Sequence, residues 1–220
     1  MKTIILSAFT PYGNYPHNST QIVAQLLDGK TIGQYRIKSI IFKACIPAPG
    51  EDRGIRLLNE ALELKAHCII SLGMASQKKG LTIETCTFNR VDCAEYCLPE
   101  INGTRIDTEA AYDNELKLDL AIWDLEQFRH ICSMERLRVD FSNNPGGFCC
   151  NHLMYQLQSA QIRYSRYSHI PWIYFHVPCS PECVPEPIQE FRKAGKVTME
   201  KDHIVLGLEL LLSGARFARH

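Results

Sequence analysis

The sequence carries no excess of charge of one sign: 24 Lys and Arg stand against 24 Asp and Glu. A balanced chain sets up no field that favours nucleic acid or an anionic membrane surface, so neither is expected as a partner. Long hydrophobic runs are also missing, the longest falling well short of the ~20 apolar residues of a membrane span. The opening stretch, MKTIILSAF, runs on to Pro11 and Gly13 without a small-residue cleavage pattern. That argues against a secretory signal and for a cytoplasmic protein. No repeat and no Gly/Ser- or Pro-rich linker divides the chain, so a single domain spanning residues 1–220 is expected. Cysteine occurs at ten positions, yet this falls below the ~8–10% typical of disulfide scaffolds. Free thiols in a reducing compartment, mostly packed as small hydrophobes, are the expectation.

What is present is an alternation. Thr3–Phe9, Ile37–Cys45, Cys68–Leu72, Leu137–Phe141 and Trp172–His176 are short apolar runs rich in β-branched or aromatic residues. Continuous hydrophobicity of this kind suits strands covered on both faces, as in parallel sheets. Helical patterns lie between them: Ser19–Leu27, Glu51–Lys65, Glu115–Phe128, Cys149–Ala160 and Met199–Leu212. Strands alternating with helices predict an α/β fold, a three-layer α/β/α sandwich around a mostly parallel sheet. The polar stretch Asn89–Asn114 breaks the rhythm and reads as a hairpin or irregular excursion.

The chemistry concentrates around PGGFCCNHLMY, residues 145–155. A strand ending near Phe141, a glycine turn and a helix starting near Phe148 put Cys150 in the first turn of that helix. Free N–H groups and the helix dipole stabilise a thiolate there, and the thiolate is the attacking form. The next strand ends in His176, 26 residues on (176 minus 150). A strand–helix–strand unit returning to the same sheet edge would bring that imidazole to Cys150, where it can deprotonate the thiol and later protonate a leaving amine. An orienting group is expected in GLTIETCTFN, where Thr82, Glu84, Cys86 and Phe88 would share one strand face. A carboxylate on such a face is partly buried and needs a partner, and His176 would serve. Each residue alone also has a plain structural reading: a packed thiol, a strand-end histidine, a solvated strand carboxylate.

Four segments in order resemble the pyroglutamyl peptidase I (pyrrolidone-carboxylate peptidase) family of cysteine peptidases. These are SAFTPYGNYPHNST, IISLGMASQKKGLTIETCTFN, GGFCCNHLMY and FHVPCSPE. The resemblance runs over about the whole chain, with the Cys150-Asn151-His152 and His176-Val177-Pro178 pieces the most specific. It implies removal of N-terminal pyroglutamate from small peptides or amides, with Cys150 as nucleophile, His176 as general base and Glu84 as third member. It further implies an apolar slot for the lactam ring lined by Phe9, Tyr12, Phe148 and Cys149, and a homo-oligomer of two or four chains. A thiolate, a base and water suffice for such acyl transfer, so no cofactor is expected.

The match has gaps. The family's Gln is Met74 here, the glycine pair that follows its Gly-Gln-Ala is Ser76-Gln77, and an Arg thought to assist the transition state falls on Ala94. Arg90 lies nearby in sequence. Three alternatives therefore stay open: a cysteine amidohydrolase for another small acyl or lactam group, a non-catalytic relative that keeps the fold, and a zinc site made by Cys93, Cys97, Cys179 and Cys183. The x₃ spacing of the last falls within the range of structural zinc ligands. His152 is expected to pack or cap within its helix, and no partner can be named for His67, His130, His169 or His203.

Overall fold

The computed structural model describes residues 1–96, 99–108, 110 and 115–214. A seven-stranded sheet runs through the centre in the order β2 (Thr31–Ile32), β3 (Tyr35–Phe42), β1 (Lys2–Phe9), β4 (Cys68–Met74), β9 (Trp172–Val177), β5 (Leu81–Glu84), β8 (Val139–Ser142). Alternation along each buried strand sends successive side chains to opposite faces. Ile4, Leu6, Ile70, Leu72, Ile173 and Phe175 enter one core with α1 (Ser19–Leu27), α3 (Leu125–Met134) and α6 (Lys201–Gly214). Ile5, Phe9, Ile69, Trp172 and Tyr174 enter the other, against α2 (Arg53–Glu63) and α4 (Cys149–Arg163). The result is the expected α/β sandwich with helices on both faces.

Local signals fix most helix starts. Asn18 accepts from Thr20 N–H at α1, Asp52 from Ile55 N–H at α2 and Asp124 from Gln127 N–H at α3, each satisfying an amide the helix cannot. Gly54 lets α2 press on α4: a Cβ there would lie 2.5 Å from the Gln156 carbonyl carbon. That face of the sheet is thus roofed by two tightly apposed helices.

Several expectations need correction. The helix expected over Glu115–Phe128 is not one element. Glu115–Lys117 is a strand, β7, paired antiparallel with β6 (Cys86–Phe88), and the helix begins only after the Asp124 cap. The strand expected over Ile37–Cys45 stops at Phe42 because the Arg53 guanidinium takes the Lys43 and Cys45 carbonyls. Thr82 to Phe88 do not share one strand face either. The chain leaves the main sheet at Thr85, whose N–H donates to Ser142 and whose carbonyl accepts from Leu118, and β6 joins the small second sheet.

Strand direction holds a further correction. The sheet is mostly parallel, but β5 is antiparallel to β9 and parallel to β8, so β8 and β9 run in opposite senses. The unit from β8 through α4 to β9 is not a parallel crossover, and the same-edge argument does not apply. Ser142 pairs with Glu84 while Thr82 pairs with His176, so segment 143–148 must carry the chain back along the sheet before α4 begins. Of the irregular stretch 89–114, Asp92 bridges Gly147 just ahead of α4; residues 97, 98, 109 and 111–114 lie outside the described residues.

Candidate active site

Trp172, Tyr174 and His176 alternate onto the face covered by α4, and His176 reaches the carboxyl end of β9. Gly73 pairs with His176 from β4 and leaves a bare patch between them. A Cβ at Gly73 would lie 2.5 Å from the Tyr174 hydroxyl, 2.8 Å from Cys150 Sγ and 3.0 Å from His176 Cδ2. Three functional groups thus converge on one glycine, and any side chain there would expel the sulfur.

Glu84 comes from the neighbouring antiparallel strand. Its register places it diagonally from His176, within reach of a long side chain. His176 Nδ1–H donates to Glu84 Oε1 at 2.8 Å, and Lys78 Nζ donates to the same oxygen at 2.9 Å. Glu84 is fully buried and His176 nearly so. Burial works against the Glu84 carboxylate, but His176 and Lys78 outweigh it and hold the group below the usual carboxylate value.

Cys150 is half-buried at the second position of α4. The N-cap, Phe148, offers no side-chain acceptor to the first-turn amides, so their dipole faces the thiol. Against the penalty of burial, the adjoining Cys149 thiol and then His176 hold the Cys150 thiol well below its ordinary value. Burial opposes the His176 imidazolium, yet the Cys150 thiolate and Glu84 lift its pKa to about 9. A thiolate beside an imidazolium is the resting state these shifts favour at neutral pH.

The pair opens on a cavity of about 400 Å³. Phe9, Tyr12, Phe148 and Cys149 line it together with Cys150 and His176, while Glu84 stands behind His176 outside the lining. Tyr12, Tyr96 and Phe148 form an aromatic wall, with Tyr12–Tyr96 centroids 5.3 Å apart and Tyr96–Phe148 centroids 5.4 Å apart. Tyr12 hydroxyl donates to the Met74 carbonyl at 3.1 Å, which fixes the ring.

Other residues at the site were not anticipated from sequence. Tyr174 had a readable signal, since a strand period of two puts it on the His176 face. Tyr96 lies in the irregular excursion, and Lys78 in a loop with no pattern. Asn151 is fully buried and ties α4 to β6: its Oδ1 accepts from Thr87 Oγ1 and Phe88 N–H, and its Nδ2 donates to the Phe88 and Arg90 carbonyls. Ala94 is exposed. The exposed Arg90 guanidinium pairs with Asp92, which itself lines the cavity.

The remaining candidates separate from this centre. His152 is buried in α4, and burial pushes its pKa down to about 4, in keeping with a packing role. His67 stacks on Tyr35 at 5.4 Å. Cys179 and Cys183 are fully buried, and Cys183 Sγ contacts the Ser180 and Ser19 hydroxyls at 3.1 and 3.7 Å. Among the described residues no group of three or more His, Cys, Asp or Glu could hold a metal; Cys97 lies outside them. Free thiols are the default expectation, and Cys93 departs from it: it is disulfide-bonded. No helix among the described residues is long and apolar enough to cross a membrane.

An acidified thiol, an imidazole held by a buried carboxylate and an aromatic-walled cavity are the parts that a cysteine hydrolase uses. Residues 1–215 match the protein family described as pyroglutamyl peptidase, and the chain belongs to that family. It is 30% identical over 217 residues to a pyrrolidone-carboxylate peptidase of Bacillus cereus (strain AH820), covering 96% of this chain and 91% of the relative. A Bacillus mycoides (strain KBAB4) pyrrolidone-carboxylate peptidase is 29% identical over 219 residues, covering 98% and 93%. Among solved structures, pyrrolidone carboxyl peptidase from Thermococcus litoralis superposes with a TM-score of 0.77 at 19% identity, over 98% of this chain and 93% of the other. Bacillus amyloliquefaciens pyroglutamyl peptidase I gives 0.77 at 21%, over 98% and 97%. At these identities the superpositions speak for the fold.

Proposed function

We propose that this chain is a cysteine peptidase that hydrolyses the amide bond after an N-terminal pyroglutamyl residue, with Cys150, His176 and Glu84 as its triad. The observation that carries the reading is the convergence of Cys150 Sγ and His176 over Gly73 at the cavity wall, with Glu84 2.8 Å behind the imidazole. The names of the relatives supply the substrate. A flat, neutral lactam suits a slot of Phe9, Tyr12, Phe148 and Cys149, because aromatic walls supply burial and a few polar groups fix orientation.

The thiolate of Cys150 attacks the pyroglutamyl carbonyl carbon, and the carbonyl oxygen takes the charge towards the first-turn amides of α4. His176, already an imidazolium, gives its proton to the departing amine as the C–N bond breaks. Neutral His176 then takes a proton from water, which attacks the thioester; the acid leaves and the thiolate returns. Glu84 accepts the Nδ1–H throughout and so keeps Nε2 facing the reaction.

A second reading keeps the chemistry and changes the acyl group. The specific observation is that Met74 and Gln77, which stand in the family's Gln and glycine positions, both line the cavity. The test is release of a fluorophore from a pyroglutamyl amide, with Cys150→Ala as control. Turnover by the wild type alone supports the first reading. Silence with rapid Cys150 alkylation at about pH 6 moves the case to another acyl group, and silence with ordinary thiol reactivity marks a non-catalytic relative. A reducing, cytoplasmic setting belongs to the same proposal, supported by the eight free cysteines among the described residues and opposed by the disulfide at Cys93. An assembly of two or four chains is part of it too, and gel filtration checks that.

A further inference from the structure

Lys78 has no role in the mechanism above, yet the structure holds it firmly. Its ammonium donates to Glu84 Oε1 at 2.9 Å, to Ser142 Oγ at 2.8 Å and to the Asn144 carbonyl at 3.4 Å. Those acceptors come from the end of β5, the end of β8 and the segment leading into α4. The side chain is 21% exposed, at the cavity edge, while Glu84 is 0% exposed.

Charge bookkeeping shows what this clamp does. In the resting state Cys150 is −1, His176 +1 and Glu84 −1, so these three groups carry a net −1, with Glu84 and His176 buried and Cys150 half-buried. An uncompensated buried charge is costly, and the usual relief is uptake of a proton. A proton on Cys150 removes the nucleophile, and one on Glu84 weakens its grip on His176. With Lys78 the sum is zero.

We propose that Lys78 is a positioning residue of this site, whose ammonium balances Glu84 and so keeps Cys150 a thiolate and Glu84 an acceptor for the His176 Nδ1–H. This rests on the triad reading above. The groups facing Glu84 are His176 and Tyr174 from β9, Lys78 from the β4–β5 loop and Cys86 from β6; His176, Tyr174, Cys149 and Tyr12 face Cys150. Lys78 and His176 are the cations among these described groups. Removing a nearby positive charge raises the pKa of every acid around it. The thiol then ionises only at higher pH, and the imidazolium keeps its proton to higher pH, so both limbs move the same way.

The test is the rate of Cys150 alkylation by iodoacetamide, read by peptide mass spectrometry in the full chain from about pH 4 to about pH 10. Wild type, Lys78→Met and Lys78→Arg are compared. The expected result is an acid limb displaced upward by about one pH unit in K78M, which is about tenfold slower labelling below the limb, with K78R close to wild type. Below the acid limb, turnover of a pyroglutamyl amide should lose about tenfold in kcat with KM held. A merely structural lysine would lower the melting temperature and leave the limbs in place, and an unmoved limb in folded K78M overturns the proposal. If K78M does not fold, K78R carries the test: its charge is conserved, so an acid limb displaced by a full unit overturns it. Alkylation needs no substrate. A displaced limb without pyroglutamyl turnover defeats the substrate reading and keeps the Lys78 assignment; turnover with an unmoved limb defeats the assignment alone.

Discussion

Cys149–Cys150 and Cys179–Cys183 are two pairs of close thiols with different prospects. In each pair the neighbouring sulfur acidifies the other against the penalty of burial: Cys150 is held well below an ordinary thiol, and Cys183 is lowered to about 6, first by Cys179 and then by Ser180 and Ser19. The surroundings separate them. Cys150 borders an open cavity beside His176. Cys183 sits in a closed minor core with Tyr15, Met74 and Phe191, and its polar contacts are hydroxyls. Acidity therefore does not by itself make a nucleophile. Access and a proton acceptor in line are the further requirements.

The sharpest way to break the comparison is Cys150→Ala, which should reduce turnover on the order of 10⁵-fold or to the detection limit; residual thiol-dependent turnover would move the chemistry to another cysteine. Next is Glu84→Gln, expected to cost about 10²–10⁴ in kcat by losing hold of the imidazole tautomer. The same change removes the negative charge behind His176, so the basic limb of kcat/KM should fall from about pH 9 to a lower pH. In the wild type, activity should be lost on the acid side as Cys150 protonates and on the alkaline side above about pH 9, as the imidazolium is lost. A profile rising through that pH would exclude His176 as the proton donor.

Smaller effects follow. Asn151→Ala strands buried partners at Phe88 and Thr87 and should cost about 2–3 kcal/mol of stability by chemical denaturation. Cys183→Ser should leave turnover within about threefold and lower the melting temperature by about 2–4 °C, as a loss near 1 kcal/mol does at this size. If C183S instead abolished turnover, the contrast between the two pairs would collapse.

The residues of the site are more legible in the sequence than the way they meet. Cys150 at a helix start, His176 at a strand end and Glu84 in an apolar strand can each be named from pattern, and the structure brings all three together. The arguments for their meeting fare worse. A short strand's pattern reads the same in either direction, so nothing in VDFS or LTIE reveals that β8 and β5 run against β9. The break at Thr85 is equally hidden, because it depends on Ser142 and Leu118 supplying its hydrogen bonds. Lys78 and Tyr96 sit in loops whose course is set by tertiary contacts, and no periodicity marks them. Helix starts at Asn18, Asp52 and Asp124 lie at the other extreme, since a capping side chain is a local signal. The helix expected over Glu115–Phe128 shows the limit of that signal: its apolar spacing runs straight across a real cap at Asp124.

The most direct measurement titrates the chain with limiting iodoacetamide at about pH 6, following label on each cysteine and hydrolysis of a pyroglutamyl amide in the same sample. The account predicts that Cys150 takes the label first, that Cys183 stays unlabelled while the fold holds, and that activity falls in step with Cys150 occupancy. Activity that survives full labelling of Cys150, or that tracks label on another cysteine, would contradict it.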